Sequence, residues 1–228
     1  NINLQMNYWM AEASGLSTCH MALIDFIESL VPSGRETARV HFGCRGWVLC
    51  HQTDHRRLTT PVGFGSGRHV PGSASWSMWP FGGAWLCLHL FERFRYGQDL
   101  NFLRDRAYPI MAEAAEFLLD WLVTDPEHPA LLTTAPSTSP ENTYWHPDGY
   151  RASVCKGSAM DFAITGSLFR AVLAAAERLR SSGFYGTSLS DVAAAAGVSH
   201  GSVYTYWADR DALFATLAQD AVAAVEIR

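Results

Sequence analysis

The chain has 228 residues, 48% of them hydrophobic and 17% charged, so it can bury a sizeable core and is not a disordered chain. A formal net charge of −5 argues against a strongly basic nucleic-acid binder. No apolar run reaches the roughly 18 to 20 residues of a membrane span, because Glu, Arg, Asp or His interrupts each candidate. The length fits one large domain or two small ones. Eight Trp within a 12% aromatic content suit either sugar-stacking surfaces or a large core, and composition leaves both open.

Five Cys, odd in number and sparse, exclude a disulfide scaffold. Cys44, Cys50, His51 and His55 approach zinc spacing, but no second Cys or His pair closes the set. No metal and no cofactor are expected. The chain opens on Asn1 inside a dense motif, which reads as a processed chain or a piece of a longer protein.

The first helix signal covers residues 17–31, with Leu16, Leu23, Ile24, Ile27, Leu30 and Val31 on one face and Pro32-Ser33-Gly34 as its stop. A short helix is predicted at 35–41. Residues 43–77 read as a loop holding Trp47 and Trp76. A buried helix follows at 81–96, ended by Gly97. Asp99 caps a short helix to Ala107, and Pro109 opens another that runs to Val123 before Asp125-Pro126 breaks the chain. Residues 133–157 form a second long loop, and helical spacing returns over 158–179. After Arg180 the texture shifts to Ala-rich short helices at 188–196, 199–206 and 209–225. Long loops between helix pairs point to a site built by loops.

Glu141 lies in a Pro-flanked loop between Trp121 and Trp145. A carboxyl group held against aromatic rings has its pKa raised, which suits a general acid; the alternative is a solvated loop carboxylate. Asn1, Asn3 and Asn7 sit among Met6, Tyr8 and Trp9, where amides can orient a water or sugar hydroxyls, or satisfy buried backbone. Asp54 and Asp161 are inward-facing candidates or caps.

Asn1-Ile2-Asn3-Leu4-Gln5-Met6-Asn7-Tyr8-Trp9 resembles the opening motif of the catalytic domain of glycoside hydrolase family 95, the inverting α-L-fucosidases. The resemblance continues through Gly34-Arg35-Glu36-Thr37-Ala38, Gly46-Trp47-Val48, Thr53-Asp54, Trp79-Pro80 and Gly82-Gly83-Ala84-Trp85-Leu86. It then covers Glu113-Ala114-Ala115-Glu116-Phe117, Ser137-Thr138-Ser139-Pro140-Glu141-Asn142 and Met160-Asp161. It implies an (α/α)6 barrel, with Glu141 protonating the leaving oxygen and Asn1 and Asn3 holding the attacking water. Trp9, His51, Asp54, Trp79 and Asn142 are the implied substrate contacts, and a fucosylated glycan the implied partner. The family's loop usually carries His, Asn, Ile and Trp where this chain has Cys50, Gln52, His55 and Arg56. The family's His-Arg-His segment and base aspartate do not follow Met160-Asp161 in this sequence.

Gly183-Phe184-Tyr185-Gly186-Thr187-Ser188-Leu189, Ala196-Gly197-Val198-Ser199 and Gly201-Ser202-Val203-Tyr204-Thr205-Tyr206-Trp207 resemble the DNA-binding domain of TetR-type repressors. That resemblance implies a recognition helix at 199–206, with Ser199, His200, Ser202, Tyr204 and Thr205 facing double-stranded DNA and Tyr206 near phosphates. From Arg170 onward five Arg face six acids, a poor footprint for phosphate.

The expectation is therefore an all-α chain: a partial (α/α)6 barrel over 1–169, then a helix-turn-helix three-helix unit over 170–228. Its function would be that of a truncated, impaired fucosidase-like hydrolase; a DNA-binding regulator module and a non-functional hybrid are the alternatives. A half-barrel face would favour self-association. No membrane partner is expected. The fucosidase-like half suggests a secreted or periplasmic location and the repressor-like half a cytoplasmic one, so localisation stays open.

Overall fold

The architecture comes from a computed structural model, which describes residues 2–61 and 77–182. Asn1, Trp76 and residues 183–228 of the expected helix-turn-helix unit, including Ser199, His200, Ser202, Tyr204, Thr205 and Tyr206, lie outside the described residues.

Helix α1 (Ile2–Tyr8) has seven residues, and Gln5 is its buried side chain. Helix α2 (Ser17–Thr37) buries Leu23, Ile24, Ile27, Leu30 and Val31, the stripe expected from spacing. The expected stop at Pro32 does not occur. The helix runs through it and continues into a π-helical turn, Ala38–Phe42. Proline removes one backbone hydrogen bond there. Packing outweighs that loss, because Gly34 lies directly on Trp47 and its carbonyl accepts the Val48 N–H at 3.2 Å.

Helix α3 (Gly82–Gly97) matches the buried helix expected at 81–96, although the left-handed residue that ends it is Gln98, at φ 51°, rather than Gly97. Asp99 caps α4 (Leu100–Phe102) by accepting the N–H groups of Asn101 and Phe102. A second π-helical turn, Leu103–Ala107, leads into α5 (Tyr108–Trp121), with Pro109 in its first turn. That helix stops two residues short of Val123, where the chain extends into β1 (Leu122–Thr124). Ser158 caps α6 (Ala159–Ser181), its hydroxyl accepting the Asp161 N–H.

The loop expected at 133–157 holds strands. These are β2 (Leu132–Thr134), β3 (Ser137–Thr138), β4 (Tyr144–Trp145), β5 (Arg151–Ala152) and β6 (Val154–Cys155). They form antiparallel pairs β1–β2, β3–β6 and β4–β5. Strands of two or three residues are too short for alternation to show in a sequence. The described chain is mostly helical rather than purely α.

Helix α3 packs against α2, α5 and α6 around one core. At its centre Trp47 is 1% exposed and donates its indole N–H to the Ile110 carbonyl at 2.9 Å. Glycines wall the ring: a Cβ on Gly34 or Gly83 would come within 2.8 or 2.9 Å of it. Gly46, one residue before, adopts φ +64° and lies so close to α5 that a Cβ would sit 1.9 Å from the Glu113 carbonyl oxygen. The boundary expected between residues 169 and 170 falls inside α6. Leu168 and Phe169 on one side and Ala171, Val172, Ala175 and Leu179 on the other enter the same core. Ile2, Met6, Trp9 and Met10, on α1 and the turn after it, stay exposed.

Gly46→Ala should therefore lower unfolding free energy by about 3 kcal/mol or more in urea melts, since backbone must move as well as φ. Gly43→Ala is the control: it has φ +66° and open space, so only the left-handed penalty of about 1–2 kcal/mol applies. Equal losses in the two variants would contradict this packing.

Candidate active site

The carboxylate that organises the site is Asp161, fully buried in the first turn of α6. Trp79 donates its indole N–H to Oδ1 at 3.0 Å. The Thr134 and Ser137 hydroxyls donate to Oδ2 at 2.8 and 2.7 Å. Burial pushes the Asp161 pKa up, and the bonds from Ser137, Thr134, Trp79 and Ser158 pull it back. One side chain thus ties α6, the segment before α3 and strands β2 and β3 together.

Strands β3 and β6 close the base of a protruding loop, with Ser137 opposite Cys155 and Thr138 opposite Val154. Its outer ladder pairs Tyr144 with Ala152 and Trp145 with Arg151. Glu141 lies between the two ladders. A tight turn holds it there: the Asn142 N–H donates to the Ser139 carbonyl at 2.6 Å, and the Asn142 amide donates to the Ser139 hydroxyl at 3.3 Å. Glu141 and Asn142 are both exposed. Of the two readings of Glu141, the solvated loop carboxylate is the one the structure fits, since the neighbouring Trp145 points into solvent at 71% exposure.

His51 is buried edge-on against Trp79, with ring centroids 6.1 Å apart. Burial lowers its pKa, and the Glu141 carboxylate opposes that shift. Trp79, expected to contact substrate, is only 1% exposed and its N–H is committed to Asp161. It supports His51 from behind and offers no face to a sugar. Asp54 caps its own turn, accepting the Arg56 N–H at 2.8 Å. Asn3 and Trp9 are exposed on α1 and just beyond it.

A cleft of about 700 Å³ opens between α1, α2 and the 52–57 turn. Tyr8, Phe26, Gln52, Thr53, Asp54 and Arg57 are among its lining residues. The Thr53 hydroxyl is buried there with no hydrogen-bond partner among the described residues. Asp54 alone of the expected contacts lines this cleft, while Glu141, His51 and Asn142 lie outside it. Sequence reasoning missed Thr134 and Ser137. The Ser158-x-x-Asp161 spacing marks a helix cap and carries no sign of the three side-chain donors. Among the described residues no group of three or more His, Cys, Asp or Glu is placed to hold a metal ion.

The sequence profile of the glycosyl hydrolase family 95 catalytic domain matches residues 1–199. "Alpha-L-fucosidase 2" of Arabidopsis thaliana is 40% identical over 179 residues, covering 78% of this chain and 20% of that protein. "Probable alpha-fucosidase A" of Aspergillus niger is 35% identical over 145 residues, covering 62% of this chain and 17% of that protein. The chain spans a fifth or less of the length of these relatives.

Asp161→Ala leaves three buried donors without an acceptor, so denaturant melts should show a loss of about 3 kcal/mol or more. Amide exchange should rise over residues 132–142. A loss below about 1 kcal/mol would show that the carboxylate is not the tether.

Proposed function

We propose, since the chain belongs to glycosyl hydrolase family 95 by its catalytic-domain match, that it is the acid-bearing part of an α-L-fucosidase-like site. Its substrate is a glycan ending in α-linked L-fucose. The observation that carries this reading is the loop-borne Glu141, held by the Ser139–Asn142 turn on a root where Asp161 gathers Thr134, Ser137 and Trp79, with Trp79 edge-on to the buried His51. Glu141 protonates the departing glycosidic oxygen. Asn3, with Asn1, holds the water that attacks from the opposite face. An inverting reaction needs a second carboxylate about 6.5–9.5 Å away as base. The family segment expected to bring that base is not in this sequence, so turnover by this chain alone should be far below that of a whole enzyme. Its helices α1 to α6 then constitute part of an (α/α)6 barrel, and the hydrolase-like unit extends past residue 170 to include α6. The open face of that half-barrel is the surface through which the chain would self-associate.

A DNA-binding role for residues 170–228 rests on the Gly183–Leu189, Ala196–Ser199 and Gly201–Trp207 segments. The family match overlaps its first 30 residues, 170–199, so the hydrolase reading is the one preferred.

Millimolar L-fucose should raise the melting temperature of the purified chain, because a ligand that binds the folded state alone stabilises it. Glu141→Gln should abolish residual hydrolysis of an aryl α-L-fucoside, and Asn3→Ala should reduce the fucose-induced shift. An unchanged melting temperature in the unsubstituted chain would overturn the reading.

A further inference from the structure

Helix α1 has too few residues to be stable by itself, and Gln5 is its buried anchor. What holds Gln5 is a chain of side chains that the fucosidase-like reading leaves unused. His89, on α3, approaches the Gln5 Oε1 with its Nε2 at 2.7 Å. The Nδ1 of His89 meets the Nε2 of His20, on α2, at 3.0 Å. The Nδ1 of His20 meets the Glu12 Oε1 at 2.8 Å. All four side chains belong to buried residues.

With the Gln5 carbonyl oxygen facing His89, donor counting constrains the protonation of this network. An ionised Glu12 only accepts, so His20 Nδ1 carries a hydrogen. The Gln5 carbonyl oxygen only accepts, so His89 Nε2 carries one too. One further hydrogen must lie between the two rings. Three hydrogens on four ring nitrogens is one more than two neutral imidazoles supply.

We propose that Glu12, acting through His20 and His89, is a positioning residue that holds α1 and its Asn3 in place by a hydrogen-bond chain containing one extra proton, carried on His20. The relevance to Asn3 rests on the fucosidase-like reading; the proton and the hold on α1 do not. The proton is placed on His20 because its Nδ1 faces the Glu12 carboxylate at 2.8 Å, whereas His89 faces only the Gln5 amide and His20; burial, with His20 adding to the effect, pushes His89 down to about 4. The surroundings agree. The Ser17 hydroxyl donates to the other Glu12 oxygen, and Arg93 Nη1, from α3, stands 3.6 Å from it. The Tyr8 ring of α1 stacks on His20 at 5.9 Å, so α1 meets the chain twice, at Gln5 and at Tyr8.

The sign of the pH dependence follows. With its pKa lowered on folding, neutral His89 contributes stability above the unfolded value, near 6.5, that is lost as pH falls toward about 4. The melting temperature should decline across that window.

The test is nitrogen NMR of the histidine rings in the full chain at neutral pH. The proposal expects His20 with both ring nitrogens protonated and His89 neutral, with its hydrogen on Nε2. A His20 with a single ring hydrogen, as would follow from a Gln5 amide turned over, overturns it. Glu12→Gln should remove the extra proton and speed amide exchange in α1 by about tenfold or more, while exchange in α3 and α5 stays near its original rate. Glu12→Asp, which keeps the anion, should restore part of that protection. Unchanged α1 exchange in Glu12→Gln also overturns the proposal. Where that variant fails to fold, the ring spectrum of the unsubstituted chain decides. Neither readout uses fucose, so a chain that binds no fucose would sink the functional reading and leave this one standing.

Discussion

The indole of Trp47 sets the distance between three helices. Its N–H reaches the Ile110 carbonyl at the start of α5, while its ring rests on Gly34 of α2 and Gly83 of α3. A large ring among backbones without side chains lets those helices approach closely, and burying it is worth several kcal/mol, about 3–5 by analogy with large-to-small core substitutions. This contact also explains why α2 passes through Pro32: the helix must reach Gly34 to meet the ring. The three residues after Trp47 then lead straight to His51, so the same contact aims one side of the site.

Trp79 joins that side to the other. Its edge meets His51 and its N–H meets Asp161, which in turn gathers Thr134 and Ser137 at the root of the Glu141 loop. A core tryptophan and a buried carboxylate therefore relate two distant stretches of chain, 51–54 and 137–142. The exposed residues that would touch a sugar stand on a base that is itself buried and hydrogen-bonded. Surface ion pairs add little to this frame. Arg35–Glu113 and Arg45–Asp120 are well aligned, yet their partly exposed side chains limit each to about 1 kcal/mol or less.

Long apolar stripes were legible in the sequence. The spacing of Leu23, Ile27 and Leu30 indicated α2, Asp99 marked a real cap, and the dense opening and Ser-Pro-Glu-Asn motifs pointed to the family now matched over residues 1–199. What failed was local reading against tertiary packing. Pro32 looked like a stop because the sequence does not show Trp47 pressing on Gly34. The strands at 122–155 were missed because two residues carry no period. The resemblance made Trp79 an implied sugar contact, and no spacing shows that its N–H meets Asp161. The Glu12–His20–His89–Gln5 chain joins residues up to 84 positions apart, and no spacing rule reports it.

The central claim is that Glu141, His51 and the α1 amides belong to one L-fucose-selective site. An NMR titration of the chain with L-fucose, using D-fucose as the control, tests it most directly. The account predicts shift changes concentrated at Asn3, around 51–57 and around 139–142, with L-fucose and not with D-fucose. Changes that are absent, or identical for the two sugars, would contradict it.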